Sequence, residues 1–216
     1  AGHAGIQHGI WSTLEDTREC IPLDDDRMPT LQGRFKVPHF DAKAEADHFF
    51  ADDGVPTTFL RTTFYWDNLL DRFAPRRNAS GTLELTLPMG TSRLSGIAAD
   101  DIGRTALAIF KHGPDMVGAT ISIAGEHLTV SEMAAALTEA LGEPVQYVPI
   151  TADAFRQQDD PGAEEAGNMF QYYADCEERF TRARDLAAVR ELNPHLQDFA
   201  TWLDAHREQL RAAVGA

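Results

Sequence analysis

Positive charge is scarce in this chain of 216 residues: Lys and Arg number 19 against 34 Asp and Glu, for a net charge of −15. Binding a nucleic-acid backbone needs a concentrated cationic face, so no direct DNA or RNA binding is expected, and the acidity reads most simply as solubility. Cysteine is scarce too. Cys20 and Cys176 stand far apart and in no metal or redox motif, and both are expected to be reduced thiols of a cytoplasmic protein. The eight histidines never form H-x-H or H-E-x-x-H, so no metal site is expected. No apolar run approaches a membrane span, and no basic-then-apolar leader opens the sequence, so neither membrane insertion nor secretion is expected. The chain opens on Ala1 rather than Met, as a processed chain or a fragment would. Internal repeats and low-complexity segments are also missing.

What is present is an ordinary globular composition, 43% hydrophobic and 25% charged, long enough for one large core or two small ones. Residues 6–12 read as a strand and residues 17–36 as a loop broken by Pro22, Pro29 and Gly33, with Asp24, Asp25 and Asp26 as a solvated turn. A helix is expected from about Phe40 to Phe50, closed by Asp52-Asp53-Gly54, and a strand over 55–63. Strand, helix and strand of this length make one βαβ unit with parallel strands. Further on, a short helix is expected at 68–73 and strands at 82–87, 119–124 and 145–150. Asp100 is expected to cap a helix reaching Lys111, and Thr129 and Glu132 have the spacing of a capping box for a helix that Gly142 closes. The rest is expected to be helical, over 151–158, 163–175, 177–190 and 195–212, the last presenting Phe199, Trp202, Leu203 and Leu210 on one face as core or docking surface.

Chemistry concentrates in residues 38–68. His39 and Lys43, four apart at a helix start, share one face. Ser12 and Thr13 end the preceding strand. A strand-end serine followed by an x-x-x-x-Lys helix is a dehydrogenase-like layout, with His39 where that chemistry wants a tyrosine. The segment Tyr65-Trp66-Asp67-Asn68 follows the carboxyl end of a strand, where ligands sit in open α/β sheets.

Trp11 to Asp16, His39 to Lys43, Gly54-Val55-Pro56, Phe64 to Asn68, Asp100 to Gly103, Asn168-Met169-Phe170 and Phe199 to Leu203, in this order and spacing, resemble the NmrA-like family over essentially the whole chain. The family comprises atypical short-chain dehydrogenase/reductases with a Rossmann fold, some of them NADP(H) sensors or transcriptional co-regulators and others reductases. The resemblance therefore implies an α/β fold: a partial Rossmann-like parallel sheet with a smaller, helix-rich C-terminal α/β lobe. Residues 1–80 would form the C-terminal part of the NAD(P)-binding domain, and 81–216 a substrate or partner lobe that returns some strands to the main sheet. The departure is at the front. The family's Gly-x-x-Gly-x-x-Gly loop puts the pyrophosphate on a helix N-terminus. The glycines at positions 2, 5 and 9 follow no strand and precede one, so they read as a decoy. By resemblance the chain is the C-terminal two-thirds of such a protein.

The resemblance also assigns candidate residues. Lys43 would bind the nicotinamide ribose, and Tyr65, Trp66, Asp67 and Asn68 would lie along the nicotinamide side, with NADP, or else NAD, as cofactor. For Lys43 the plain alternative is an exposed helix lysine. For Trp66, burial of aromatic surface and cofactor contact are equally open, while Asn68 is the better cofactor-side candidate. Ser12 either orients a carbonyl or satisfies backbone groups. Ser12, His39 and Lys43 thus form a degenerate catalytic triad. Imidazole can donate a proton, but its ring is shorter than a phenol and a nearby Lys43 ammonium disfavours its charged form, so the expectation is a pocket that binds without reducing efficiently. The first reading is an NADP(H) sensor or regulatory protein with weak or no reductase activity; the alternatives are an NADPH-dependent oxidoreductase acting on a small carbonyl and a truncated interaction module without cofactor. A protein partner or homo-oligomer would cover the sheet edge that the missing strands leave.

Overall fold

The structure, a computed structural model, describes residues 5–215; residues 2–4 of the glycine cluster lie outside them. In chain order the elements are β1 (Gly9–Thr13), α1 (Pro38–Asp52), β2 (Thr57–Arg61), β3 (Phe64–Tyr65), β4 (Arg76–Arg77), β5 (Leu83–Leu85), β6 (Arg93–Ile97) and α2 (Ala99–His112). There follow β7 (Thr120–Ser122), β8 (Glu126–Thr129), α3 (Val130–Leu141), β9 (Val145–Tyr147), α4 (Ala152–Arg156), α5 (Ala163–Asp175), α6 (Glu177–Arg182), α7 (Leu186–Leu192) and α8 (Phe199–Ala213). The fold is α/β. β1 and β2 run parallel in register from Gly9 opposite Thr57 to Thr13 opposite Arg61, with α1 as their crossover. β7 adds in parallel on the far side of β2, giving the order β1-β2-β7. Two further three-stranded sheets have the orders β3-β6-β8 and β4-β5-β9.

The main core gathers α3, α5 and α8 around Trp66, Phe170 and Trp202. A smaller one, of Leu60, Ile97, Ile109, Ile123 and Val189, joins the parallel sheet to α2 and α7. Trp66 is 2% exposed and its ring lies 5.3 Å from that of Phe199 and 6.2 Å from that of Trp202. A Cβ at Gly96 would stand 2.0 Å from the indole nitrogen of Trp66, so only glycine fits there. That requirement puts a poor strand former in the middle of β6, a strand the sequence pattern does not announce. β8 is likewise unannounced, and the helix expected over 177–190 is two helices, α6 and α7. The break between them turns Arg184 inward. Fully buried, it donates to Glu15 Oε1 and Oε2 at 2.8 and 3.1 Å and to the Thr62 carbonyl at 2.6 Å.

Two caps differ in their fate. The capping box of Thr129 and Glu132 forms, and Gly142 ends α3 at φ 78°. The cap residue of α2, however, is Ala98 and not Asp100. The side chain that serves this helix start comes from elsewhere: Asp67 Oδ2 accepts from the Ala99 N–H at 2.9 Å.

The cysteines require a correction. They are not free thiols: Cys20 and Cys176 form a disulfide with Cα atoms 6.6 Å apart. Folding brings the end of α5 onto the 17–36 loop, and a separation of 156 residues in sequence says nothing about distance in space. The thiol argument for a reducing compartment falls with it. No helix among the described residues is long and apolar enough to cross a membrane.

Candidate functional site

Asp41 sets the position of the site. It is fully buried in the first turns of α1, whose cap residue Val37 offers no side-chain bond. One carboxylate oxygen accepts from the Thr17 N–H at 2.8 Å and the Thr17 hydroxyl at 2.6 Å; the other accepts from the N–H groups of Lys36 and Val37 at 2.8 and 3.2 Å. Negative charge at a helix start is favourable, and four donors offset the burial of the carboxylate. The consequence is geometric: the loop is pinned to the helix that carries His39 and Lys43.

Those two residues line a cavity of about 290 Å³. Its floor includes Leu14, beyond β1, and Thr62 and Thr63, beyond β2, so it lies at the carboxyl ends of parallel strands. Tyr65 and Asn68 contribute from one side, Arg72 from the rim, and Glu165, Met169 and Tyr173 of α5 close the other. Lys43 Nζ lies 3.5 Å from Ser12 Oγ, and burial pushes its pKa below the ordinary lysine value. The Tyr65 hydroxyl lies 3.1 Å from Thr62 Oγ1. His39 Nδ1 lies 2.6 Å from Glu165 Oε1, and the same oxygen accepts from the His39 backbone N–H at 2.8 Å, a group that a helix start leaves without an internal partner. The His39 hydrogen bond holds the Glu165 carboxyl below the usual carboxylate range, against a smaller opposing effect of burial.

The structure thus brings His39, Lys43, Tyr65 and Asn68 to one cavity, with Ser12 reaching it through Lys43. It places Trp66 and Asp67 elsewhere: of the two readings open for Trp66 it shows burial, the ring being sealed in the core against Phe199 and Trp202, and the expectation for Asp67 is corrected, since its carboxylate serves the start of α2. Sequence reasoning missed Glu165 and Arg72. Glu165 lies 126 residues from His39, and the acidic first turn of α5 was its only signal.

The residues fit one end of a dinucleotide. Lys43 carries three donors, of which the structure commits one to Ser12, leaving donors for ribose hydroxyls. A cavity of this size suits a nicotinamide and its ribose rather than a whole dinucleotide. Among the described residues no strand, glycine-rich turn and helix follow one another in the way that cradles a pyrophosphate.

A parallel β-α-β layer with a polar cavity at its carboxyl edge defines a Rossmann-type α/β protein. The chain belongs to the NmrA-like family, whose model matches residues 1–203. It is 34% identical over 155 residues to the NAD(P)H azoreductase of Xenophilus azovorans, covering 71% of this chain and 48% of the azoreductase. To the nitrogen metabolite repression protein nmr of Neurospora crassa it is 27% identical over 156 residues, covering 68% of this chain and 30% of that protein. The chain therefore spans about half or less of the length of these curated relatives. Among solved structures, that of NmrA, a negative transcriptional regulator, in complex with NAD superposes with a TM-score of 0.75 at 22% identity, covering 99% of this chain and 68% of NmrA.

Proposed function

We propose that the chain supplies the nicotinamide side of an NAD(P)(H) site and serves an NADPH-dependent reductase of a small carbonyl substrate, with His39 in the phenol's place. The carrying observation is the convergence of His39, Lys43, Tyr65 and Asn68 on one cavity at the carboxyl edge of the parallel strands. Lys43 would hold the ribose hydroxyls, and Tyr65 and Asn68 would flank the nicotinamide. When bound, the reduced nicotinamide supplies a hydride; the chain supplies position and a proton. The partly buried Lys43 ammonium gains in strength from its low-polarity surroundings and has the Ser12 hydroxyl 3.5 Å from it.

A second reading, a dinucleotide-responsive regulatory protein with weak turnover, is favoured by His39 itself. Its side chain is 43% exposed and its ring is shorter than a phenol, so it excludes water poorly.

The two readings separate in one assay. NADPH binding and oxidation over a carbonyl panel are measured for wild type, His39→Ala, His39→Tyr and Lys43→Ala. The chain is tested both alone and joined to an upstream strand, glycine loop and helix. Alone, it should bind NADPH weakly, since the pyrophosphate contacts are not among its described residues, and Lys43→Ala should weaken binding further. Joined, it should turn over, and His39→Ala should lower kcat by about two orders of magnitude, the usual contribution of a general acid. Tight binding with negligible wild-type turnover, and a rise in His39→Tyr, would instead establish the regulatory reading.

A further inference from the structure

We infer that Glu165 is the positioning residue of His39: it holds the imidazole with Nδ1 as the protonated, bonded nitrogen and leaves Nε2 to the cavity. The inference rests on the reductase reading for what Nε2 then does, but its geometry stands apart from it.

Glu165 is a carboxylate, and a carboxylate oxygen only accepts. At 2.6 Å from Oε1, Nδ1 must therefore be the donor. The second bond to the same oxygen, from the His39 backbone N–H, fixes the carboxylate relative to the helix and not to the ring alone. Nε2 has no hydrogen-bond partner among the described residues. Both side chains are partly exposed, where such a contact adds little to stability, so its weight lies in orientation.

Both ends of the pair are rigidly mounted. α1 is pinned by Asp41. α5 is pinned by Asn168, fully buried, whose Nδ2 donates to the Pro29 and Lys36 carbonyls at 2.9 and 2.6 Å. Between the helices the Phe40 ring packs edge-on against Tyr172 and Tyr173 at 5.6 and 5.9 Å. The charged groups facing the imidazole are Lys43 on its own helix, Arg72 on the rim and Glu165 itself.

In the reductase reading, bound NADPH would supply the hydride that turns the carbonyl C=O into an alcohol C–H and O–H, and protonated His39 would give its Nε2 proton to the oxygen, leaving the ring neutral with its remaining proton on Nδ1, bonded to Glu165. Solvent at the exposed face returns the proton. A ring that kept its proton on Nε2 when neutral would leave Nδ1 and Glu165 as two acceptors facing each other.

The test reads the tautomer directly. Long-range nitrogen–proton NMR of the 216-residue chain, at a pH of about 9 where imidazoles are neutral, should show His39 with a protonated Nδ1 and a bare Nε2. Glu165→Ala should return the ring to the Nε2–H form that free imidazole side chains favour. Glu165→Gln, whose amide oxygen still accepts, should retain the Nδ1–H form. A wild-type His39 protonated at Nε2, or a tautomer indifferent to Glu165→Ala, overturns the inference. In the carbonyl assay Glu165→Ala should lower kcat about tenfold or more, with KM for NADPH unchanged and Glu165→Gln between the two. Wild-type turnover that ignores Glu165→Ala also overturns it. The expected tautomers with no turnover in wild type leave Glu165 as the positioning group and overturn the reductase reading alone.

Discussion

At the scale of single residues, polar groups taken out of water are what this chain has had to place with care, and His127 shows the cost. Half-buried on β8 between Ser95 of β6 and the α6–α7 break, it donates from Nε2 to the Arg184 carbonyl at 3.1 Å, so Nδ1 is left to accept from the Ser95 hydroxyl at 2.8 Å. Burial, opposed by the bond to the Arg184 carbonyl and reinforced by the charges of Arg93 and Arg184, pushes its pKa below the ordinary histidine value. The folded state therefore resists a proton that the unfolded chain accepts, and the sign follows. The contribution of His127 is fully present above the unfolded value of about 6.5 and is lost as pH falls through the lower folded value. Urea unfolding between about pH 8 and pH 5 should show falling stability. His127→Gln should be less stable at the upper end but show a shallower fall; an unchanged slope would place the pH dependence elsewhere. Little of this was legible beforehand. His39 and Lys43 announce themselves because four-residue spacing on a helix is a local fact. Glu165, Arg184 and the cysteine pair do not, because their partners are 126, 169 and 156 residues away.

At the scale of elements, the β1–α1–β2 unit was readable because each of its signals is short-range: Pro38 at a helix start, glycine past its end, and a threonine-rich run that must be extended. β6 was not, because its sequence answers to Trp66 across the core rather than to its own strand, and small residues that make room for a ring resemble a loop. The cap of α2 tells the same story. Asp100 lies two residues inside the helix, while the side chain that reaches the Ala99 N–H comes from the turn after β3. Asp67→Ala should therefore cost about 1 kcal/mol, the usual value of a lost cap, and lower the melting temperature. It should leave NADPH affinity unchanged. A weakened affinity with no change in melting would put Asp67 back beside the cofactor.

At the scale of the whole molecule, one covalent bond changes what kind of object the chain is. Cys20 and Cys176 close a ring that contains α1, all three sheets' central strands and α5, with only the two ends of the chain outside it. A linear chain cut once falls into two pieces; a ring cut once merely opens. The exposed turn at residues 23–27, with Leu23 at 46% exposure and Arg27 a ready tryptic target, lies just inside the ring. Limited trypsin digestion there should give a product that migrates as one species without reductant and separates into a short N-terminal piece and a long remainder when reduced. Separation without reductant would show the ring is not closed in solution. With the ring closed, a protein nicked at this turn keeps both the strand bearing Ser12 and the helix bearing Lys43 tethered through the same sulfur bridge. Backbone damage in the loop thus does not by itself disperse the parts of the pocket.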